Sequence, residues 1–420
     1  MSENFDPVFN SSEREPGQAK EKGRSDPLQA LLDLNEQEKS ERGLLYTPRE
    51  IFQQPQTWST TYQMCQEKRA ELCAFLKESG IGSTRALPPT VLLVGAGTSN
   101  YIGRALAHLL HQRWGTETWA IPSTDLLTNL EDYLFPERPY LWVSFSRSGD
   151  SSEGVAVLER TLVHHPQVRH LVVTCNRAGD MVEACLKRPD KALALVLDQA
   201  VNDRGLAMTS SFSNMVVAGQ CLAHLDKLEE YGSILDQMVD AGCKSMSHAA
   251  QKAACLAQLF YSKACFVGSG TLAAVADESA LKLLELTAGK VQTMSESALG
   301  LRHGPMSALD EDTLFVLFMS ARDLRRNYEL DLLKEIRAKR LGTVTVVVTP
   351  QMRPGLDSVA DHVLSLDLPA GFADEYRPPV DVIFGQLLGL FSSLNAGLQP
   401  DQPSPSGAIS RVVSHINIYS

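Results

Sequence analysis

The chain has 420 residues, with 39 Lys and Arg against 50 Asp and Glu, for a formal net charge of −11. That length suits two domains of ordinary size, and 44% hydrophobic with 21% charged residues is the balance of a globular protein. The acidic balance argues against nucleic-acid binding, which a basic patch usually marks, and no stretch reaches the ~18 apolar residues that read as a membrane span.

Residues 1–45 are polar and poor in aromatic residues, with runs such as SSEREPGQAKEKGRSD. Such a composition buries too little surface to fold alone, so a disordered tail is expected, with a short helix over 27–42 as the ordered alternative. The opening MSENFDPVFN has no basic stretch followed by an apolar run, so no secretory leader is expected. The pattern turns regular from about residue 48. A helix is predicted over 58–78, ending near Gly80. TVLLVGAGTSN then reads as a buried strand, a glycine turn and a helix start. YLWVSFSRSGDSSEG repeats that design, with a strand over 140–145 and a helix from about 152. Further strands are expected at 169–175 and 192–197, and a long apolar helix over 210–229 closes a first domain of 48–232.

A second domain, 240–398, begins with KACFVGSGTLAAVADESALKLLEL, again strand, glycine turn and helix. Strands are expected at 313–319, 343–348 and 362–366, then a helix over 378–397. The Pro-rich segment 399–420 carries apolar residues and is expected to dock near the active site. Short apolar strands alternating with helices predict an α/β protein whose parallel sheets are covered on both faces. VGAGTSNYIGRAL and VGSGTLAAVADES hold the same place in each half, which points to one module used twice. The eight cysteines, Cys65, Cys73, Cys175, Cys185, Cys221, Cys243, Cys255 and Cys265, form no CxxC pair and no zinc-spaced cluster with histidine. A reducing, cytoplasmic setting without disulfides or a metal is therefore expected.

Five segments could carry chemistry. In Gly95-Ala96-Gly97-Thr98-Ser99, glycines allow a sharp turn after a strand, and the following helix offers free N–H groups to an anion. Position 100 is Asn, so GxGxxG is incomplete, and no acidic residue closes the next strand, WAIP; a nicotinamide cofactor is not expected. Ser144-Phe-Ser146-Arg147-Ser148-Gly149-Asp-Ser151-Ser152 sits at the carboxyl end of a strand, where open α/β sheets bind ligands. One serine suffices for a helix cap; this many around a glycine suit a phosphate. Met208-Thr209-Ser210-Ser211 again gathers hydroxyls at a helix start, as a cap or as the lining of a sugar site. Glu278, Lys282 and Glu285 fall at i, i+4 and i+7 and share a helix face. Such spacing is commonly a solvated salt-bridge stripe, but a carboxylate near a lysine can also act as a general base beside an oxyanion holder. His303, in Arg302-His303-Gly304-Pro305, can shuttle a proton near neutral pH or be structural.

In this order, VGAGTS, SRSGDS, the ESALKLLE helix and RHGP resemble the sugar isomerase (SIS) domain family, and in particular the isomerase half of glucosamine-6-phosphate synthase. The resemblance covers roughly residues 50–420 and implies two tandem SIS modules, each a flavodoxin-like three-layer sandwich. It assigns Ser99, Ser146, Ser148 and Ser151 to the sugar phosphate, with Arg147 standing where the synthase has an uncharged amide. Gly97, Thr98, Met208 and Thr209 are the candidates to line the sugar. Glu285 matches the base that carries a proton between C1 and C2, Glu278 and Lys282 match its partners, and His303 matches the ring-opening histidine, which in the synthase reaches in from the other subunit. A homodimer or larger homo-oligomer with a shared active site is thereby implied; a cofactor or metal is not.

Two departures matter. The first 50 residues are too short for the synthase's ammonia-supplying glutaminase domain. The position aligned with its imine-forming lysine is Ser414, and nearby Arg411 stays protonated, which makes it a poor nucleophile. The stretch Pro400 to Val413 is similar to the PDxPSPSGxxxRVV of the AgaS group, whose members are labelled tagatose-6-phosphate ketose/aldose isomerases and are associated with galactosamine-6-phosphate deamination. The expected activity is therefore deamination coupled to isomerisation of a phosphorylated amino sugar, D-galactosamine 6-phosphate giving D-tagatose 6-phosphate and ammonia. The alternatives are an aldose–ketose isomerase of a neutral sugar phosphate and a non-catalytic sugar-phosphate sensor. The polar, short N-terminal segment makes no convincing DNA-binding helix-turn-helix, and the presence of Glu278, Lys282, Glu285 and His303 favours an enzyme.

Overall fold

The computed structural model describes residues 26–82, 87–404, 406–412 and 416–419. Ser414 and residues 1–25 lie outside these. Among the described residues, ten strands make two sheets of five: β1 Thr90–Gly95, β2 Thr118–Pro122, β3 Tyr140–Ser146, β4 Val168–Thr174 and β5 Ala192–Val196 in the first, and β6 Lys263–Gly268, β7 Gln292–Glu296, β8 Thr313–Phe318, β9 Val344–Thr349 and β10 His362–Ser365 in the second. The orders are β2-β1-β3-β4-β5 and β7-β6-β8-β9-β10, the same arrangement twice. All pairings are parallel. Strand order reverses between β1 and β3 and again between β6 and β8, the crevices where ligands bind in such sheets.

β1, β3 and β8 are buried at every position, so their sequences read as unbroken apolar runs rather than alternating ones. Alternation survives in where each side chain goes. Val91, Leu93, Leu141 and Val143 join Ala264, Phe266, Leu314 and Val316 in one core shared by both sheets. Leu92, Val94 and Trp142 face an outer cluster on the first sheet, and Cys265, Val267 and Phe315 one on the second. The shared core is filled by helices Ser210–Ala223 and Pro378–Asn395, the first buried along its whole length. Helix Thr98–Trp114, which follows β1, packs on helix Leu272–Leu286, which follows β6.

Several expectations change. Residues 26–45, read as part of a disordered tail, hold two helices, Pro27–Leu32 and Glu36–Arg42. Asp26 caps the first by accepting from Leu28 N at 2.9 Å, and Leu28 and Leu31 reach the shared core. Two apolar anchors suffice where average composition suggested none. The helix expected over 58–78 is two, Gln54–Glu67 and Arg69–Glu78. The helix expected over 210–229 stops at Ala223, and a 29-residue helix, Leu228–Leu256, runs through 232–240, so the two halves are joined by continuous helix there. β7 was not foreseen, because QTMSE is a half-buried edge strand with no apolar run.

The two ends of the described chain meet. The Asp401 carboxylate accepts from the backbone N–H groups of Tyr46 (3.1 Å) and Thr47 (2.8 Å) and from the Thr47 hydroxyl (2.7 Å), while Leu206 N donates to the Asp401 carbonyl at 3.0 Å.

Candidate active site

A pocket of about 130 Å³ opens between the carboxyl ends of β1 and β3, lined among others by Ser99, Ser146, Arg147, Ser148, Ser151 and Met208. The serine loop is built so that hydroxyl protons stay available. Ser146 Oγ accepts from Gly149 N (3.0 Å) and Ser148 Oγ from Asp150 N (3.2 Å). Each oxygen thus braces the loop with a lone pair and keeps its O–H to donate. Gly149 has φ +69°, a conformation side chains other than glycine's adopt at a cost. A Cβ on Gly154 would lie 2.6 Å from Ser151 Oγ, and one on Gly95 would lie 2.7 Å from Ser99 Cβ. Asp150, an unexpected charge in an anion loop, turns away: its carboxylate accepts from Asp180 N (2.9 Å) and Asn176 Nδ2 (3.2 Å).

Arg147 is buried in the pocket wall, and burial, helped by the neighbouring Arg411 charge, lowers its pKa. Its terminal nitrogens donate to the carbonyls of Leu206 (3.1 Å), Gly205 (3.4 Å) and Arg411, and its Nε has no partner. Arg411 also lines the pocket, donating to Asp203 O (2.7 Å) and Asn202 Oδ1 (2.8 Å). The two guanidiniums bring positive charge to a pocket that also holds serine hydroxyls, apolar side chains and Glu153.

The Glu278/Lys282/Glu285 face is no solvated stripe. Glu278 and Lys282 are fully buried. Lys282 Nζ donates to Glu285 Oε2 at 2.7 Å and Thr98 Oγ1 at 3.0 Å, and lies 3.3 Å from Glu278 Oε1. Thr98 Oγ1 in turn donates to Glu278 Oε1 at 3.3 Å. Burial pushes the Glu278 carboxyl up to about 8 against the pull of Lys282. Burial alone would lower Lys282, but the two carboxylates outweigh it and hold the ammonium above its ordinary value. Glu285 retains 24% side-chain exposure and is the member of the trio open to a substrate. Thr98 and Ser99 are consecutive at the start of one helix. Ser99 lines the pocket and Thr98 touches the lysine, so the pocket and the Glu278/Lys282/Glu285 cluster adjoin.

Other candidates fall elsewhere. Gly97, φ +53°, is the turn residue before helix Thr98–Trp114. The Thr209 hydroxyl, expected at the sugar, bonds Asp203 at 3.3 Å instead. Asp203 also accepts from the N–H groups of Thr209, Ser210 and Ser211 and from the Ser211 hydroxyl, so this group is a helix cap supplied by a long loop. His303 is exposed on the turn after Gly300–Arg302 and does not line the pocket. Sequence reasoning passed over Glu153, buried in the pocket wall with Oε2 unpartnered. Its only signal was an acidic residue in the first turn of a helix, which usually means favourable dipole pairing.

The SIS-domain family pattern matches residues 262–383. The D-galactosamine-6-phosphate deaminase AgaS of Escherichia coli is 34% identical over 385 residues, spanning 89% of this chain and 95% of that protein. The crystal structure of tagatose-6-phosphate ketose/aldose isomerase from Escherichia coli superposes with a TM-score of 0.78 at 31% identity, covering 89% of this chain and 96% of that one. The C-terminal domain of glucosamine-fructose-6-phosphate aminotransferase from Francisella tularensis shares the fold, with a TM-score of 0.68 at 19% identity over 85% of this chain and 98% of that one. The chain belongs to the AgaS group of the SIS-domain family.

Proposed function

We propose that this AgaS-group protein converts D-galactosamine 6-phosphate and water to D-tagatose 6-phosphate and ammonia. The observation that carries this reading is Thr98–Ser99, which joins a hydroxyl-lined anion pocket to a buried Lys282 flanked by two glutamates. The relatives' substrates agree with it.

The serine loop holds the 6-phosphate and fixes the reacting end, which removes the search for position from the chemical step. Once the ring is open, Glu285 takes the C2 proton, acidified by the C1 aldehyde, and the enolamine charge that develops lies beside Lys282. A proton from the substrate's own ammonium passes to O1, and returning the C2 proton to C1 then leaves a C2 iminium. Water adds to C2, the C–N bond breaks, and the products are the ketose and ammonium. Burial raises the Glu278 carboxyl against the pull of Lys282, and its contact at 3.3 Å holds the ammonium in place beside Glu285. His303 is the ring-opening acid, supplied to the pocket by the second subunit of a homodimer; its exposure away from the pocket of its own chain supports that arrangement.

Ammonia release from galactosamine 6-phosphate, glucosamine 6-phosphate and galactose 6-phosphate by the purified protein tests the reading. Ammonia from the first, and much less from the second, is expected. Ketose from galactose 6-phosphate with no ammonia from either amine would instead favour a neutral aldose–ketose isomerase, the kind of activity for which the Escherichia coli structural relative is named.

A further inference from the structure

The repeat that built the first anion pocket has a second copy, and the place of its ligand is taken. Val94 pairs with Ser144 in the first sheet and Val267 with Leu317 in the second. Counting three residues on, Ser320-Ala321-Arg322 stands where Arg147-Ser148-Gly149 forms the serine loop, and Gly270 stands where Gly97 does. At Gly97 an added Cβ would meet nothing within 4 Å; at Gly270 it would meet the Arg325 guanidinium at 2.6 Å. In the second crevice lies a carboxylate, fully buried Asp374. Asp374 accepts from the Ser320 hydroxyl (2.5 Å), Ala321 N (2.9 Å) and Arg377 Nη1 (2.9 Å), with Arg325 Nη1 3.6 Å away. A hydroxyl, a loop N–H and two guanidiniums converging on two oxygens is the donor set of an oxyanion site. The N–H of Ala321 occupies the loop position of the N–H of Ser148.

We infer that the crevice at the carboxyl ends of β6 and β8 is a second oxyanion site, which the chain fills with its own Asp374 carboxylate and which accepts inorganic phosphate or sulfate once that carboxylate is removed. In the native protein the consequence is one phosphate site per chain instead of two. The internal anion also pins the segment before helix Pro378–Asn395, which packs on the helix carrying Glu278, Lys282 and Glu285. Without Asp374, buried Arg377 keeps its two bonds to Asp381 (3.1 and 2.7 Å) and Ser320 N keeps the buried Glu329 carboxylate (2.8 Å), whereas Arg325, the Ser320 hydroxyl and Ala321 N lose their carboxylate partner. The inference takes the serine loop as a phosphate site by analogy, and its test separates the two.

The experiment is thermal unfolding of full-length wild type, Asp374→Gly and Asp374→Asn in potassium phosphate and in potassium chloride at matched ionic strength. Asp374→Gly should melt well below wild type in chloride and recover most of the loss in phosphate, saturably. Asp374→Asn, whose carboxamide still fills the cradle, should gain no more from phosphate than wild type gains. Ser320→Ala in the Asp374→Gly background should abolish the recovery, while Ser148→Ala, which weakens the first site, should leave it intact. If Asp374→Gly does not fold in chloride, refolding yield in the two salts is the same readout. Equal melting or equal yield in both salts, including failure to fold in either, overturns the inference.

Discussion

The first and second modules have the same strand order and the same glycine turn, yet they divide the work along different parts of one element. In the first, the start of helix Thr98–Trp114 and the serine loop face an open pocket. In the second, the start of helix Leu272–Leu286 is sealed by Arg325 and Asp374, and the useful side chains lie two to four turns further along, where that helix meets the first module. A duplicated α/β unit can thus give one copy the binding of the invariant end of a ligand and the other the chemistry on its variable end. A helix start suits anion binding because its N–H groups are free. A helix middle, with those groups paired, suits a buried ionic cluster.

Substitutions can break or sharpen that division. The largest effect is expected from Glu285→Gln, since general acid–base catalysis contributes roughly 10²–10⁴-fold. Turnover should fall by about that range while binding of the sugar phosphate persists, and near-normal turnover would remove Glu285 from the role of base. Next comes Thr98→Val, which takes a hydroxyl from buried Lys282. A hydrogen bond to a charged group is worth about 1.5–3 kcal/mol, so kcat should drop roughly 10- to 100-fold with KM little changed. A rise in KM at unchanged kcat would return Thr98 to the sugar-lining role that its sequence position suggested. Gly154→Ala presses on Ser151 Oγ and belongs wholly to the first module; KM for the phosphosugar should rise several-fold with kcat retained, and an unchanged KM would show that Ser151 does not hold the phosphate.

The smallest effect concerns stability. Burial, with the neighbouring Asp203 charge, raises the Glu50 carboxyl to about 8. A carboxyl raised in the folded state favours folding most below its unfolded value near 4.5, and that contribution is lost as pH rises through about 8. Glu50→Gln keeps a carbonyl for the Arg204 and Gly205 N–H groups that Glu50 now receives. Its melting temperature should therefore gain on wild type as pH goes from 5 to 9, by about 2–4 °C per kcal/mol. A constant difference across that range would rule the linkage out.

Much of the architecture was legible, because strands buried on both faces leave unbroken apolar runs and glycine turns punctuate them. β7 was illegible for the converse reason, being half-buried and polar. At the site, the serines that face the pocket were readable as a cluster too dense for capping alone. Thr209 carried two readings, helix cap or sugar lining, because its partner, Asp203, reaches back across a loop, and no local pattern distinguishes a hydroxyl held by such a loop from one held by a sugar. The contact of Thr98 with Lys282 spans 184 residues. Spacing placed Glu278 on the same helix face as Lys282, but whether that face is wet or dry is decided by the helix that covers it, not by the helix that bears it.

The bonds of Asp401 to Tyr46 and Thr47, and those of Arg411 to the 202–203 loop, have a consequence for biosynthesis. During translation both sheets emerge from the ribosome before residue 401 does, so Tyr46 and Thr47 must wait some 350 residues for their acceptor, at a few to twenty residues per second. The pocket that includes Arg411 cannot be complete until residue 411 has left the ribosome. Closure of the pocket therefore follows synthesis of both sheets, and a ribosome stalled between β10 and residue 401 would carry a chain that still lacks Arg411 and the Asp401 acceptor.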